Sequence, residues 1–191
     1  MLSGLACAAL ALAGCSASGP SFKNADITGA DYGREFKLTD HTGKTRTLED
    51  FRGKIVVMFF GYTYCPDVCP TTLAELKSVK EQLGEEGKSL QVLFVTVDPE
   101  RDTPKALADY VPAFDPSFLG LYGDPAATAK VAKDFRVFYQ KVPGKTPGSY
   151  TVDHTAGSYV FDRQGRLRLF VRHGNAANLV SDIRTLLGTP S

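Results

Sequence analysis

A short apolar run that leads directly into two cysteines places the strongest constraint on the fold of this chain. Residues 55–60 read Ile-Val-Val-Met-Phe-Phe, a β-branched and aromatic run typical of a strand covered on both faces. Apolar residues then recur at helical spacing from residue 71 to residue 83. Cys65 and Cys69 therefore lie where a buried strand passes into a helix, and we expect the chemistry of the protein to depend on these two thiols.

Strand and helix patterns alternate through the rest of the chain. The predicted elements are a hairpin at residues 36–48, a buried strand at 90–97, helices at 105–111 and 124–135, a short strand at 118–122, a loop at 142–150, a hairpin at 159–171 and a closing helix at 177–187. This order, with a dithiol between the first long strand and its helix, predicts an α/β fold, namely a thioredoxin-like single domain with an N-terminal β-hairpin. The usual dithiol signature of that fold, Cys-x-x-Cys, is one residue shorter.

The N-terminus has the features of a targeting segment. Residues 5–13 are apolar but too few to span a bilayer as a helix, and a Ser-Gly-Pro linker follows. The sequence Leu-Ala-Gly-Cys at 12–15 resembles the lipobox of bacterial lipoproteins, although residues 1–4 lack the usual Lys or Arg. We therefore expect a signal peptide at 1–14, lipidation of Cys15 and a tether to residue 35, and the domain at 36–191. The alternative is an N-terminal hydrophobic helix that belongs to the fold.

This segment predicts a location in the cell envelope, on the periplasmic side of a membrane, with the inner membrane favoured for the lipid anchor. The formal net charge of +1 gives no indication of a nucleic-acid partner. Cys7 and Cys15 belong to the leader region, so the body of the protein contains one close cysteine pair and no disulfide scaffold.

The cysteine pair by itself is compatible with three roles. Cys65 and Cys69 are four residues apart, so a helical turn would place them on the same face, close enough for a disulfide or for a shared metal ion. A helix N-terminus favours the thiolate form, and thiolates are soft ligands suited to Cu(I) or Zn. A redox couple, a metal site and a structural disulfide all remain open at this point.

A third ligand would favour the metal site, and the chain has three histidines. His41 lies in a predicted hairpin turn and His173 precedes the closing helix, so neither is expected to bind metal. His154 lies just before the predicted strand at 158–161, and in a thioredoxin-like fold the loop before that strand lies against the dithiol. We expect Asp153 or a backbone carbonyl to orient its imidazole ring.

Three separated stretches, at residues 64–70, 95–104 and 152–155, together resemble the Sco/SenC family in the same order and context, from residue 36 to the closing helix. The resemblance implies a copper ion, Cu(I) or Cu(II), bound by Cys65, Cys69 and His154. It also implies a domain anchored on the outer side of an energy-transducing membrane, with a role in building the dinuclear copper centre of cytochrome c oxidase. The expected partners are the oxidase subunit that carries this centre and, in addition, periplasmic copper chaperones or thioredoxin-like reductants.

Two functions compete under this interpretation. The first is a copper metallochaperone, which is not a turnover enzyme. The second is a thiol-disulfide oxidoreductase, in which Cys65 and Cys69 form a redox-active pair that keeps the copper-ligand cysteines of the oxidase reduced. A peroxidase of the peroxiredoxin type is disfavoured, because Tyr62 stands where that family has a threonine and residues 54–63 contain no proline.

Two further groups of residues allow a structural and a functional interpretation. Phe60, Tyr62 and Tyr64 could shield the site or could simply pack in the core and loop. Residues 98–103 are expected to form a turn, a helix cap and a local ion pair, with Glu100, Arg101 and Asp102 as candidates for the pair and docking of a partner as the alternative.

Overall fold

The computed structural model describes residues 20–188, so the predicted leader and Cys15 lie outside the described residues. None of the helices in this range combines the length and the apolar character that crossing a bilayer requires. The strands are β1 (Ala25–Asp26), β2 (Leu38–Asp40), β3 (Thr45–Arg46), β4 (Ile55–Gly61), β5 (Leu90–Thr96), β6 (Leu119–Tyr122), β7 (Tyr139–Pro143), β8 (Tyr150–His154), β9 (Gly157–Phe161) and β10 (Leu167–Arg172). The α-helices are α1 (Val68–Leu83), α2 (Pro104–Tyr110), α3 (Pro125–Asp134) and α4 (Leu179–Gly188).

An eight-stranded mixed sheet forms the centre of the domain, in the order β1-β10-β9-β4-β5-β6-β2-β3. Strands β4, β5 and β6 are parallel to one another, whereas β9 runs antiparallel to β4. Every residue of β4 and β5 is buried, as expected for central strands covered on both faces. The predicted strands and helices are confirmed, as are the two predicted hairpins at residues 36–48 and 159–171.

Consecutive aromatic residues of β4 point to opposite faces of the sheet and build two parts of the core. Phe59 packs against Phe94 of β5 on the face that carries α1, with ring centroids 5.9 Å apart. Phe60 packs on the other face against Phe135, which follows α3, and against Tyr159 of β9. The site described below therefore rests on a sheet that is held firmly from both sides.

Part of the predicted tether belongs to the folded domain. Strand β1 pairs with β10 at the edge of the sheet, so residues 25 and 26 extend it. The side chain of Asn24 is buried and donates to the carboxylate of Asp182 in α4. The small, polar composition of residues 16–33 suggested a linker. The contacts that hold Asn24 and strand β1 come from residues far away in the sequence, so no local pattern reveals them.

The predicted loop at residues 142–150 connects the two strands of a hairpin that the sequence did not predict. Strands β7 and β8 pair antiparallel and form a separate two-stranded sheet, with only residues 144–149 as the connection. The sequence prediction was wrong at both ends of the loop. Val152 is the one buried residue in these two strands, so the hairpin lacks the alternating apolar pattern that identifies a strand.

Candidate metal centre

The two cysteines lie at the start of helix α1, just beyond the carboxyl end of β4. The helix begins at Val68, three residues before the predicted start, because Pro70 is tolerated in a first turn. Cys69 lies within that first turn and is fully buried, whereas Cys65 lies in the preceding turn and is partly exposed. The Cys69 N–H donates to Cys65 Sγ at 3.5 Å. Both cysteines are free, so the described domain contains an available dithiol.

His154 completes the cluster from the far end of β8. Its Nε2 lies 3.5 Å from Cys69 Sγ, and the ligand atoms of Cys65, Cys69 and His154 all lie within 4.8 Å of one another. The Nδ1 of His154 lies 3.1 Å from the carbonyl oxygen of Thr155. When Nδ1–H donates to that carbonyl, the lone pair of Nε2 faces the thiols. Of the two orienting groups expected for this ring, the structure shows the backbone carbonyl.

Aromatic and glycine residues shape the pocket around these ligands. The rings of Phe59 and Tyr62 contact the His154 imidazole edge to face, with centroids 6.1 and 6.0 Å away. A Cβ atom on Gly61 would lie 2.7 Å from Cys69 Sγ, so the last residue of β4 must be glycine for the sulfur to fit. The sequence expectation is thus met in part: Tyr62 shields the site, Phe60 belongs to the core and Tyr64 is 63% exposed.

Burial controls the protonation of the two innermost ligands. It raises the pKa of the Cys69 thiol far above its ordinary value. In the metal-free protein burial thus favours the protonated thiol of Cys69, contrary to the expectation of a thiolate at the helix N-terminus. Burial also lowers the pKa of His154, which keeps the imidazole neutral and available as a ligand near pH 7.

The segment after β5 supports the loop that carries Cys65. The buried carboxylate of Asp102 accepts hydrogen bonds from the Thr63 N–H and from the hydroxyls of Thr63 and Thr96. Asp98 pairs with Arg101, and the Thr103 side chain caps α2 by accepting from the Ala106 N–H. The turn and the cap predicted for residues 98–103 are confirmed, and the local ion pair contains Arg101 as expected but with Asp98 as its partner, not Glu100 or Asp102.

The other two histidines lie outside the cluster. His41 Nδ1 accepts from the Gly120 N–H at 3.1 Å, and His173 Nδ1 lies 3.1 Å from the Thr72 hydroxyl. Sequence reasoning considered Arg101 only for a local ion pair and missed that its side chain stacks on that of Tyr150 close to the centre. No periodicity or motif links these two residues, which lie 49 positions apart.

The centre opens to solvent on one side. A cavity of about 350 Å³ is lined by residues of the Cys65 turn, by β8 and by Ala156. Cys65 and His154 line this cavity, whereas Cys69 closes the site from within. Two sulfur atoms and one imidazole nitrogen at this spacing can hold a single metal ion, and the cavity leaves one side of it accessible.

Comparison with known proteins agrees with this geometry. Residues 24–188 match the family model described as SCO1/SenC. A mitochondrial SCO2 homologue of Bos taurus is 40% identical over 150 residues, which are 78% of this chain and 56% of that protein. The chain thus spans little more than half the length of this curated relative.

Two solved structures extend the comparison. Bradyrhizobium japonicum ScoI with copper bound is 44% identical, with a TM-score of 0.72 over 78% of this chain and 96% of that chain. Apo Sco1 of Thermus thermophilus is 42% identical, with a TM-score of 0.77 over 87% of this chain and 97% of that chain. The predicted thioredoxin-like fold is confirmed, and the chain belongs to the SCO1/SenC family.

Proposed function

We propose that this protein binds a copper ion through Cys65, Cys69 and His154 and delivers it to the dinuclear copper centre of cytochrome c oxidase. The observation that carries the proposal is the convergence of the three ligand atoms within 4.8 Å. The copper-bound ScoI structure from Bradyrhizobium japonicum supports copper as the ion. The oxidase as recipient follows from the role that the Sco/SenC resemblance implies.

The donor set fits copper by its chemistry. Thiolates select Cu(I), and an imidazole nitrogen is a suitable third ligand for either oxidation state of copper. The neutral imidazole of His154 is ready to bind, whereas the Cys69 thiol must lose its proton as the metal enters. Copper affinity should therefore fall as the pH decreases.

The unequal exposure of the ligands suits a carrier that must release its cargo. Cys65 is partly exposed beside the cavity, so a receiving protein can approach the metal from this side. Cys69 is fully buried and cannot be reached in the same way. In this proposal the partner displaces Cys65 first and Cys69 last.

The alternative function is thiol-disulfide exchange, and the free, adjacent cysteines favour it as a second candidate. Cys65 would attack a disulfide of the partner, and Cys69 would then resolve the mixed disulfide. The dithiol would give two electrons and two protons to the partner. The S–S bond of the partner would break as a bond between the sulfurs of Cys65 and Cys69 forms.

The variant His154→Ala separates the two functions. If the protein is a copper carrier, the Cu(I) affinity of the full chain, measured against a competing chelator, should fall by more than about a hundredfold. Thiol-disulfide exchange needs only the cysteines, so reduction of a small aromatic disulfide should continue at a rate close to that of the unmodified protein.

The control for this experiment is His173→Ala, since His173 bonds to Thr72 and lies outside the ligand cluster. It should leave copper affinity unchanged. If His154→Ala also leaves copper affinity unchanged, the ligand assignment is wrong and the exchange function becomes the better candidate.

We further propose a lipid anchor at Cys15 that holds the domain on the periplasmic side of the inner membrane. Pro20 lines a cavity together with Gly165 and Leu167, near the end of the sheet where β4 begins. The metal centre follows the other end of β4, about 20 Å away along the strand. Such an anchor would leave the metal centre facing away from the membrane. Labelling with a fatty-acid probe should modify the full chain but not Cys15→Ser.

A further inference from the structure

We propose that Arg101 is the positioning residue of the metal site, and that it sets His154 against the thiols by clamping the opposite end of strand β8. This inference rests on the proposed function, because His154 is a ligand only if the cluster binds metal. It assigns a role in metal binding to a residue that is not itself a ligand.

The hairpin is weakly held by its own packing. Strands β7 and β8 form their own two-stranded sheet and are not part of the eight-stranded one. Of their ten residues only Val152 is buried. An isolated two-stranded hairpin is marginally stable in water, so contacts with the rest of the domain must determine where it lies.

Arg101 supplies such contacts at the first residue of β8. Its guanidinium carbon lies 3.6 Å from the centroid of the Tyr150 ring, and its Nη1 donates to the Tyr150 carbonyl at 3.0 Å. Its Nε donates to Asp98, and the other carboxylate oxygen of Asp98 accepts from the Tyr150 hydroxyl at 2.9 Å. The three side chains thus form a closed ring of contacts between the loop after β5 and the hairpin.

Two of the three side chains, Asp98 and Arg101, are largely shielded from water. The Asp98 side chain is fully buried and that of Arg101 is 24% exposed. The Nη2 atom of Arg101 is buried without a hydrogen-bond acceptor among the described residues, so aromatic faces are its main neighbours. A planar guanidinium can stack and donate in two directions at once, which a lysine ammonium cannot do.

The same guanidinium also contacts the cysteine side of the site. It lies 5.7 Å from the Tyr62 ring and 4.9 Å from the Tyr64 ring, both in the turn that leads to Cys65. The Tyr62 ring in turn contacts the imidazole of His154. Arg101 therefore joins the two chain segments that must meet for the three ligands to converge.

The length of the strand makes this contact important for the metal. His154 is four residues beyond Tyr150, which is about 13 Å along an extended strand. A tilt of about 10° at Tyr150 would therefore move His154 by about 2 Å. Metal–ligand distances tolerate only about 0.2 Å. The ion pair that joins the same loop to the hairpin, Lys141 with Glu100, is exposed and contributes little.

The experiment compares Arg101→Gln and Arg101→Lys with Arg46→Gln in the full chain. Arg46 is the matched control, since it pairs with the buried carboxylate of Asp40 and lies over the Phe51 ring, away from the metal centre. We expect Arg101→Gln to reduce Cu(I) affinity about 10- to 100-fold, as for other residues that orient a ligand. Arg101→Lys should restore little of this loss, and Arg46→Gln should leave the affinity unchanged.

A measurement without metal follows the position of His154 directly. The His154 ring lies beside the rings of Phe59 and Tyr62, so the NMR chemical shifts of its ring protons report its position. In metal-free Arg101→Gln they should move toward the values of an unstructured peptide. Tyr150→Leu, which removes the stacked ring, should give the same shift, and Tyr150→Phe, which keeps the ring, a smaller one.

Unchanged His154 shifts and unchanged copper affinity in Arg101→Gln and Tyr150→Leu would overturn the inference. An equal loss of copper affinity in Arg46→Gln would also overturn it, because general destabilisation would then explain the result. A different result would indicate that the proposed function is wrong: His154→Ala would bind copper as tightly as the unmodified protein. The chemical shifts of His154 in metal-free Arg101→Gln would still test whether Arg101 positions the strand.

Discussion

The Nε2 atom of His154 lies 3.5 Å from the Sγ atom of Cys69, although 85 positions separate the two residues in the chain. Cys69 belongs to the first turn of α1, whereas His154 ends a hairpin outside the main sheet. The metal centre therefore depends on the relative placement of two elements that are folded by different contacts. Changes that disturb either element should weaken metal binding, even where all three ligands remain present.

Gly61→Ala should disturb the metal centre, because Gly61 ends strand β4 beside the sulfur of Cys69. The added methyl group would lie 2.7 Å from Cys69 Sγ and 2.9 Å from the Phe94 ring, so the sulfur must move. We expect a stability loss of about 1–3 kcal/mol, as for other overpacked cores, together with reduced Cu(I) affinity. Urea unfolding and chelator competition measure the two effects.

Gly120→Ala is the matched control for this prediction. Its added methyl group would meet Leu107 and Val111 at 3.1 and 3.2 Å, in the same sheet but away from the cysteines. It should reduce stability without changing copper affinity. If both glycine variants bind copper as the unmodified protein does, the contact between Gly61 and Cys69 does not matter for the site.

The two thiols should differ strongly in reactivity. Cys69 is fully buried and its pKa is raised by that burial, so little thiolate forms near pH 8. Cys65 is partly exposed. In the metal-free, reduced protein, iodoacetamide should modify Cys65 at least about tenfold faster than Cys69. Peptide mapping after a timed reaction identifies the modified cysteine, and equal rates would contradict the assigned order of attack.

Asp40 should make the free energy of unfolding depend on pH in the acidic range. Burial raises the pKa of this carboxyl, but hydrogen bonds from Thr42, Arg46 and Lys44 outweigh it and bring the pKa down to about 2. Because the unfolded value is about 3.9, the carboxylate stabilises the fold above pH 4, and its contribution is lost as the pH falls toward 2.

Asp40→Asn should therefore lower the free energy of unfolding by about 2 kcal/mol at pH 7. The difference from the unmodified protein should shrink between pH 4 and pH 2. Urea unfolding of both proteins across this range measures it. A difference that stays constant down to pH 2 would show that the charge of Asp40 is not its source.

Asp182→Ala should release the N-terminal segment from the domain. The Asp182 carboxylate accepts from the Lys23 N–H at 2.7 Å and from the backbone and side-chain amides of Asn24 at 2.9 and 2.8 Å. Loss of these charge-assisted bonds should cost about 3 kcal/mol. Hydrogen exchange at residues 23–27 should become faster, since the segment has few other buried contacts.

The control for Asp182 is Asp109→Ala, which removes an exposed carboxylate paired with Lys105 on the surface of α2. That change should cost less than about 1 kcal/mol. Unchanged exchange at residues 23–27 in Asp182→Ala would mean that the pairing of β1 with β10 alone holds the segment.

Local patterns were sufficient to predict most of the regular structure. The runs at β4 and β5 are apolar throughout because both faces are covered, and the periodicity of α1 follows from a single buried face. Thr103 and Asp124 cap their helices as their residue types suggest. These features depend on neighbours within a few residues, which is why a sequence without a structure reveals them.

The predictions that failed concern segments held by distant residues. The hairpin of β7 and β8 has almost no buried side chains, and Arg101 and Tyr150 hold its first residue from outside. Residues 20–33 have the composition of a linker, yet Asn24 is buried against α4. Neither segment carries a periodic apolar pattern that sequence reasoning could detect.

The sequence by itself determined the order of most strands and helices, the position of the dithiol between β4 and α1, and the prediction of His154 as a third ligand. The tertiary structure decided that the three ligand atoms converge within 4.8 Å and that Cys69 is buried with a raised pKa. It also decided that Arg101 contacts the first residue of β8, Tyr150. Secondary structure and the spacing of neighbouring residues are local properties of the chain, whereas ligand geometry and solvation depend on residues that only the folded domain brings together.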